Sequence, residues 1–143
     1  ENLLRDRTID NALLPSGMPV AHGYVASGYG ERSDPFNGHQ AIHLGLDFAA
    51  PEGTPVTAVA DGVVTFAGVR SGYGNVVEID HGNGYMSLYA HNDSLLKDSG
   101  DRVKRGDAVA RVGTSGGQGQ AALYFELRRN GQPVDPSSWL QRR

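Results

Sequence analysis

The sequence predicts an all-β protein, a single antiparallel β domain with little helix, and three observations carry that reading. The chain has 143 residues and 20 glycines, and the glycines recur every few residues between short runs holding Val, Ile and Tyr, as turns recur between strands. Several of those runs alternate apolar and polar residues, the period of a half-buried strand. Asn-Gly and Asp-Gly pairs stand between runs, and such pairs accept the left-handed φ of two-residue hairpin turns.

The elements follow in order. Residues 1–14 (ENLLRDRTIDNALL) set Leu3, Leu4, Ile9, Leu13 and Leu14 among charges, which suits an N-terminal linker or a helix end; the domain is expected over residues 15–143. SGYGERSDPFNG is a loop rich in turn formers between two strands. AIHLGLDFAA alternates, with Ile42, Leu44, Leu46 and Phe48 on one face and His43, Gly45 and Asp47 on the other. PEGTPVTAVADGVVTFAG reads as turn, strand, hairpin turn at Asp61-Gly62, strand. YGNVVEIDHGNGYMSLYAH reads as a hairpin turned at Gly82-Asn83-Gly84, its return strand alternating Met86, Leu88 and Ala90 against Ser87, Tyr89 and His91. DSLLKDS allows one helical turn, GDRVKRGDAVARVG is expected as a compact hairpin, and ALYFELRRNGQPV as a last one turned at Asn130-Gly131.

Composition excludes several functions. Lys and Arg number 13 against 16 acidic residues, a net charge of -3, so no electrostatic footprint for nucleic acid or anionic lipid is present. Cysteine is absent, which rules out disulfides and thiolate metal sites. No apolar run reaches the roughly 20 residues a spanning helix needs, so no membrane insertion by this domain is expected. The chain opens on Glu1, as an excised domain or processed product would, and localisation has to follow from function.

His43 and Asp47 lie four residues apart on one face of one strand, with Gly45 between them leaving room for a ligand. Imidazole plus carboxylate makes a partial zinc shell, although such a pair alone is more often a hydrogen-bonded surface pair. His91 closes a strand from which it could polarise a water or a substrate carbonyl. Tyr29, Tyr73, Tyr89 and Tyr124 are candidates to line a groove. His81 reads as a turn residue facing solvent, and Arg128 and Arg129 as solvated charges.

HLGLDFAAPEGTPVTAVADGVVTFAG, GYGNVVEIDHGNGYMSLYAHN, GDRVKRGDAVARVGTSG and FELRRNGQPVDPSSWL, in that order, resemble the LytM/lysostaphin family of peptidoglycan metallopeptidases, over roughly residues 15–140. The resemblance implies that family's duplicated hybrid motif fold. It also implies a zinc site built from the His and Asp of HxxxD with the second His of a later HxH, and catalytic histidines at the first His of HxH and at the end of the YAH segment. By that match His43 and Asp47 stand at two ligand positions, and His91 at a catalytic one. The departure is Ala122-Leu123-Tyr124 in place of HxH. Leu123, Phe125 and Leu127 keep a core face, while the groove face presents Ala122, Tyr124 and Glu126. With two of three ligands left, the site is incomplete and His91 vestigial. No cofactor is expected beyond zinc at low occupancy through His43 and Asp47, unless His39 swings in or Tyr124 ligates as phenolate.

SGGQGQAALYFELRRNGQPVDPSSWL is similar to the end of EnvC-type LytM factors, non-catalytic activators of cell-wall amidases in cell separation. EnvC-type domains generally have a degraded HxxxD as well, whereas His43 and Asp47 persist here. The resemblance implies a murein hydrolase activator of the periplasm or cell envelope, partnered by an amidase, by peptidoglycan or by both. The expected groove comprises Tyr29, Arg32, Asn75, Tyr89, Ala122, Tyr124 and Glu126. The alternative is a zinc endopeptidase with an altered ligand set. GDRVKRGDAVARVG also resembles the hairpin of lipoyl carrier domains, but the modified-lysine context of those carriers is missing.

Overall fold

The computed structural model describes residues 18–20, 24–27, 30–33, 40–43, 45–114 and 121–136; the expected linker over residues 1–14 and the candidate Tyr29 lie outside them. The described strands are β1 (Tyr24–Ser27), β2 (Gly30–Ser33), β3 (Gln40–His43), β4 (Leu46–Ala49), β5 (Pro55–Thr57) and β6 (Gly62–Arg70), then β7 (Gly74–Gly82), β8 (Tyr85–Leu95), β9 (Arg102–Val103), β10 (Ala108–Val112), β11 (Ala122–Arg129) and β12 (Gln132–Val134). Among the described residues every pairing is antiparallel and no α-helix occurs. One 10-stranded sheet runs β1-β4-β11-β8-β7-β6-β9, with β10 joining β5 to β8 and β12 flanking β11; β2 and β3 pair separately.

The main core collects Leu46, Phe48, Val56, Val59, Ile79, Tyr89, Val109, Val112, Leu123, Phe125 and Leu127, all at most 2% exposed. Phe125 meets Phe48 edge-on at 6.4 Å between ring centroids and Tyr89 at 5.3 Å. The alternation read in β4 and β11 is therefore the one the fold uses. Both Asn-Gly hairpins also form: Asn83 and Gly84 have φ of 54° and 84°, and Asn130 and Gly131 have 54° and 80°, the double left-handed geometry that such pairs accept.

Four expectations are corrected. Asp61-Gly62 is no hairpin, because β5 pairs with β10 while β6 pairs with β7 and β9. Ala58, Val59 and Ala60 between them are buried to within 1%, so this segment is a crossover through the core. Gly62 is there for close approach: a Cβ would meet the Asp80 carbonyl oxygen at 2.5 Å. GDRVKRGDAVARVG turns at Lys104–Asp107, with Asp107 N–H donating to the Lys104 carbonyl at 2.9 Å, but its strands part to different neighbours. DSLLKDS is not helical; β8 runs on to Leu95, and its pairing with β10 supplies its backbone partners. AIHLGLDFAA breaks between β3 and β4, and Gly45 leaves no room for a ligand. A Cβ at Gly45 would collide with the Phe125 carbonyl oxygen.

Candidate functional site

The site grows from the register of three strands. Tyr124 of β11 stands opposite Asp47 of β4 on one side and Ala90 of β8 on the other, so these side chains share one face of the sheet. Beneath them lies a second, smaller apolar cluster of Val76, Leu88 and Ala90, with Phe66, Tyr73 and Tyr124 packed on it. The Tyr124 ring lies 6.0 Å from the Tyr73 ring and 6.2 Å from the His91 ring.

His91 reaches this face through a backbone irregularity. Strict alternation would send it the way of Tyr89, into the core. Instead the β7–β8 register shifts between the Val77–Tyr89 and Asn75–Asn92 pairs, and His91 takes φ of 67°, costly for a residue with a Cβ. The surroundings hold the irregularity in place. His91 N–H donates to the Tyr73 carbonyl at 2.9 Å, Asn75 Nδ2 donates to the Asn92 carbonyl at 2.9 Å, and Asn92 Nδ2 returns a bond to the Asn75 carbonyl at 3.0 Å. Asn75 thus fastens the segment that presents His91.

Where the family resemblance implies two histidines, β11 offers a hydrogen-bonded chain. The Tyr124 hydroxyl donates to Glu126 Oε2 at 2.6 Å, and Arg128 holds Oε1 through Nε at 2.9 Å and Nη2 at 2.7 Å. Glu126 is 0% exposed, so it is a buried and paired carboxylate rather than a groove-lining one. Arg128 is one of the charges expected to be solvated; its place two residues beyond Glu126 on the same strand face was the available signal. Burial, and after it the hydrogen bond to Glu126, pushes the Tyr124 phenol well above its ordinary range. Burial opposes the Arg128 charge, but Glu126 outweighs it and raises its pKa.

A third zinc ligand must be a lone-pair donor in its working protonation state. Ala122 has no donor atom, and Tyr124 keeps its proton and donates it in a hydrogen bond to Glu126, so the phenolate route is closed by the neighbour that would have to be displaced. The donors at these positions do not fit a catalytic zinc. Among the described residues no group of three His, Cys, Asp or Glu side chains is placed to hold a metal. The backbone of His43 pairs with Gly30 and that of Arg32 with Ala41; their side chains lie outside the described part.

Tyr89 is not a groove residue. It is 0% exposed, its hydroxyl takes a bond from Val59 N–H at 3.1 Å, and it lies 2.8 Å from Ser87 Oγ. The face of β8 read as apolar, with Leu88 and Ala90, is the one beneath Tyr124, and the Ser87–Tyr89 face points into the main core. Both faces of β8 are buried there, and internal hydrogen bonds let polar residues occupy the inner one. His81 is likewise 1% exposed rather than solvent-facing; its place in the Val77, Ile79, His81 alternation would have shown it.

Residues 41–136, which hold all of these groups except Gly30 and Arg32, match Peptidase family M23. The chain belongs to that family. This M23 domain is 43% identical over 120 residues, 84% of the chain, to the DD-carboxypeptidase/endopeptidase Mpg of Neisseria meningitidis serogroup B. It is 52% identical over 98 residues, 68% of the chain, to the murein hydrolase activator EnvC of Escherichia coli K12. It spans 28% and 23% of those two proteins' own lengths. Among solved structures, it matches a zinc containing peptidase from Vibrio cholerae with a TM-score of 0.78 and 35% identity, over 85% of this chain and 39% of that one. The LytM/lysostaphin fold expected from the sequence is the fold observed.

Proposed function

We propose that this M23 domain is a non-catalytic cell-wall factor that uses its groove to bind and activate a cell-wall amidase, or to bind peptidoglycan, during wall remodelling and cell separation. The observation that carries this is the Tyr124–Glu126–Arg128 chain. By the family match Tyr124 stands at the ligand position with its phenol bonded to the charge-paired Glu126, and Ala122 at the acid/base position has no polar side-chain atom, so neither half of a zinc hydrolysis mechanism has its residue. What remains on the face is an aromatic patch of Tyr73, Tyr124 and His91 beside Asp47, a surface suited to contact. Similarity to a protein named murein hydrolase activator supports the same reading. It implies a place in the bacterial envelope, most simply the periplasm; no helix among the described residues is long and apolar enough to cross a membrane.

A second reading, a zinc endopeptidase with an altered ligand set, is favoured by the survival of His43 and Asp47 and by similarity to an enzyme named for carboxypeptidase and endopeptidase activity. One experiment separates them. The domain, purified without chelator, is assayed for zinc and added to a purified amidase acting on isolated cell walls. The activator reading expects substoichiometric zinc, no lysis by the domain alone and severalfold stimulation of at least one amidase. Near-stoichiometric zinc with lysis that disappears in His43→Ala would establish the endopeptidase instead.

A further inference from the structure

Away from the groove the domain buries another titratable group. His81 on β7 places Nδ1 2.8 Å from the Asp61 carbonyl oxygen and Nε2 2.7 Å from Ser87 Oγ. Ser87 Oγ lies 2.8 Å from the Tyr89 hydroxyl, which accepts from Val59 N–H at 3.1 Å. Ser87 and Tyr89 are both 0% exposed. While the ring is neutral, elementary bonding sets the direction of this chain. A carbonyl oxygen only accepts, so Nδ1 carries the imidazole proton. Nε2 of the neutral ring then accepts from the Ser87 hydroxyl. Ser87 in turn accepts from the Tyr89 hydroxyl, which accepts from Val59. Every member is satisfied in one direction.

A second proton on the ring breaks that order. Nε2–H would have to donate to Ser87, and Ser87 would turn and donate to Tyr89. The Tyr89 oxygen would then face two donors, and its own proton would need a new acceptor in a fully buried place. The charges around the ring do not prevent this. Burial pulls the His81 pKa down, against the Asp61 carbonyl bond and the nearby Asp80 and Asp61 charges. Each of those carboxylates is already bonded: Asp61 Oδ1 accepts from Arg105 N–H at 2.8 Å and Asp80 Oδ1 from Gly82 N–H at 2.9 Å. On the Gly62 side, a Cβ would come 3.0 Å from Nδ1. A cavity of about 700 Å³, lined among others by Asp61, Asp80, His81, Arg102, Lys104 and Asp107, lies beside this group.

Both ends of the chain, Val59 and Asp61, belong to the crossover between β5 and β6. The same crossover holds the Lys104–Asp107 turn through Ala58, which donates to the Asp107 carbonyl at 2.9 Å and accepts from Gly106 N–H at 2.9 Å. We propose that His81, Ser87 and Tyr89 form an acid-sensitive latch, clamping the residue 58–61 crossover to β7 and β8 while His81 is neutral and releasing it on acidification. This latch is independent of the groove's role.

The sign follows from the lowered pKa. Above the unfolded histidine's value near 6.5 both states are neutral and nothing is lost. Below it the unfolded chain takes a proton the folded one refuses, so the folded-to-unfolded ratio falls by up to about tenfold per pH unit until folded His81 titrates. The test compares unfolding free energies of the domain and of His81→Gln from pH 8 to pH 5, a difference in which the carboxylates cancel. The domain should lose the extra factor below pH 6.5 and the variant should not; equal slopes would overturn the latch. Should His81→Gln fail to fold, the unaltered domain still decides through long-range ¹H–¹⁵N correlations of its imidazoles. The expected result is a neutral Nδ1–H tautomer at His81 that does not titrate near 6.5, with Val59 amide protection declining below that pH beyond its intrinsic dependence. An Nε2–H tautomer, or ordinary titration near 6.5, would overturn the proposal.

Discussion

Tyr124 and Arg128 reach Glu126 from either side along one strand face, one as a neutral donor and one as a cation. Removing a partner from a buried carboxylate leaves charge where water cannot reach it. Arg128→Ala is therefore expected to lower stability by about 3 kcal/mol, seen in urea as a lower midpoint with an unchanged m-value. Glu126→Leu with Arg128→Leu deletes both charges and should lie much nearer the parent, because a well-packed apolar pair often replaces a buried ion pair without loss. A double variant as unstable as Arg128→Ala would mean that the ion pair is not what holds this face together.

At the level of elements, the approach of β4 to β11 depends on Gly45. A Cβ there runs into the Phe125 carbonyl oxygen, with the Phe125 carbonyl carbon and Glu126 Cγ close behind, and main chain in the middle of a sheet has no room to give. Gly45→Ala is predicted to cost at least about 2 kcal/mol, read as a fall in the thermal midpoint; a neutral substitution would show that β4 can slide. Such close approach is invisible to periodicity, which is why the glycine read as space for a ligand. Strands with one polar face were legible: Leu46 and Phe48, and Leu123, Phe125 and Leu127, fall on the core as alternation requires. Both Asn-Gly turns were legible too, since their chemistry is local. The misread elements are those whose partners lie far along the chain, the Asp61-Gly62 crossover and the parting of β9 from β10. On β8, buried on both faces, alternation had no solvent side to point to, and the turn of His91 onto the groove face comes from an irregularity stabilised by Asn75 and Asn92.

Taken whole, the domain keeps a hydrolase sheet while two positions of β11 carry residues that no zinc mechanism can use. Register states what restoring them would do. Ala122 pairs with Ala49 and Tyr124 with Asp47, and residues two apart on a strand share a face about 7 Å apart. Histidines at 122 and 124 would therefore project on the side of Asp47, beside the His91 ring. The combined change Ala122→His and Tyr124→His is predicted to raise zinc affinity at least tenfold, measured by competition with a chromophoric chelator. It should also cost roughly 1 kcal/mol of metal-free stability, because Glu126 loses the Tyr124 hydroxyl and keeps only Arg128. A gain that vanishes on adding His43→Ala would place His43 in the restored site. No gain from the pair would mean that the groove has moved away from metal-binding geometry, and that its present shape answers only to whatever docks against Tyr73, Tyr124 and His91.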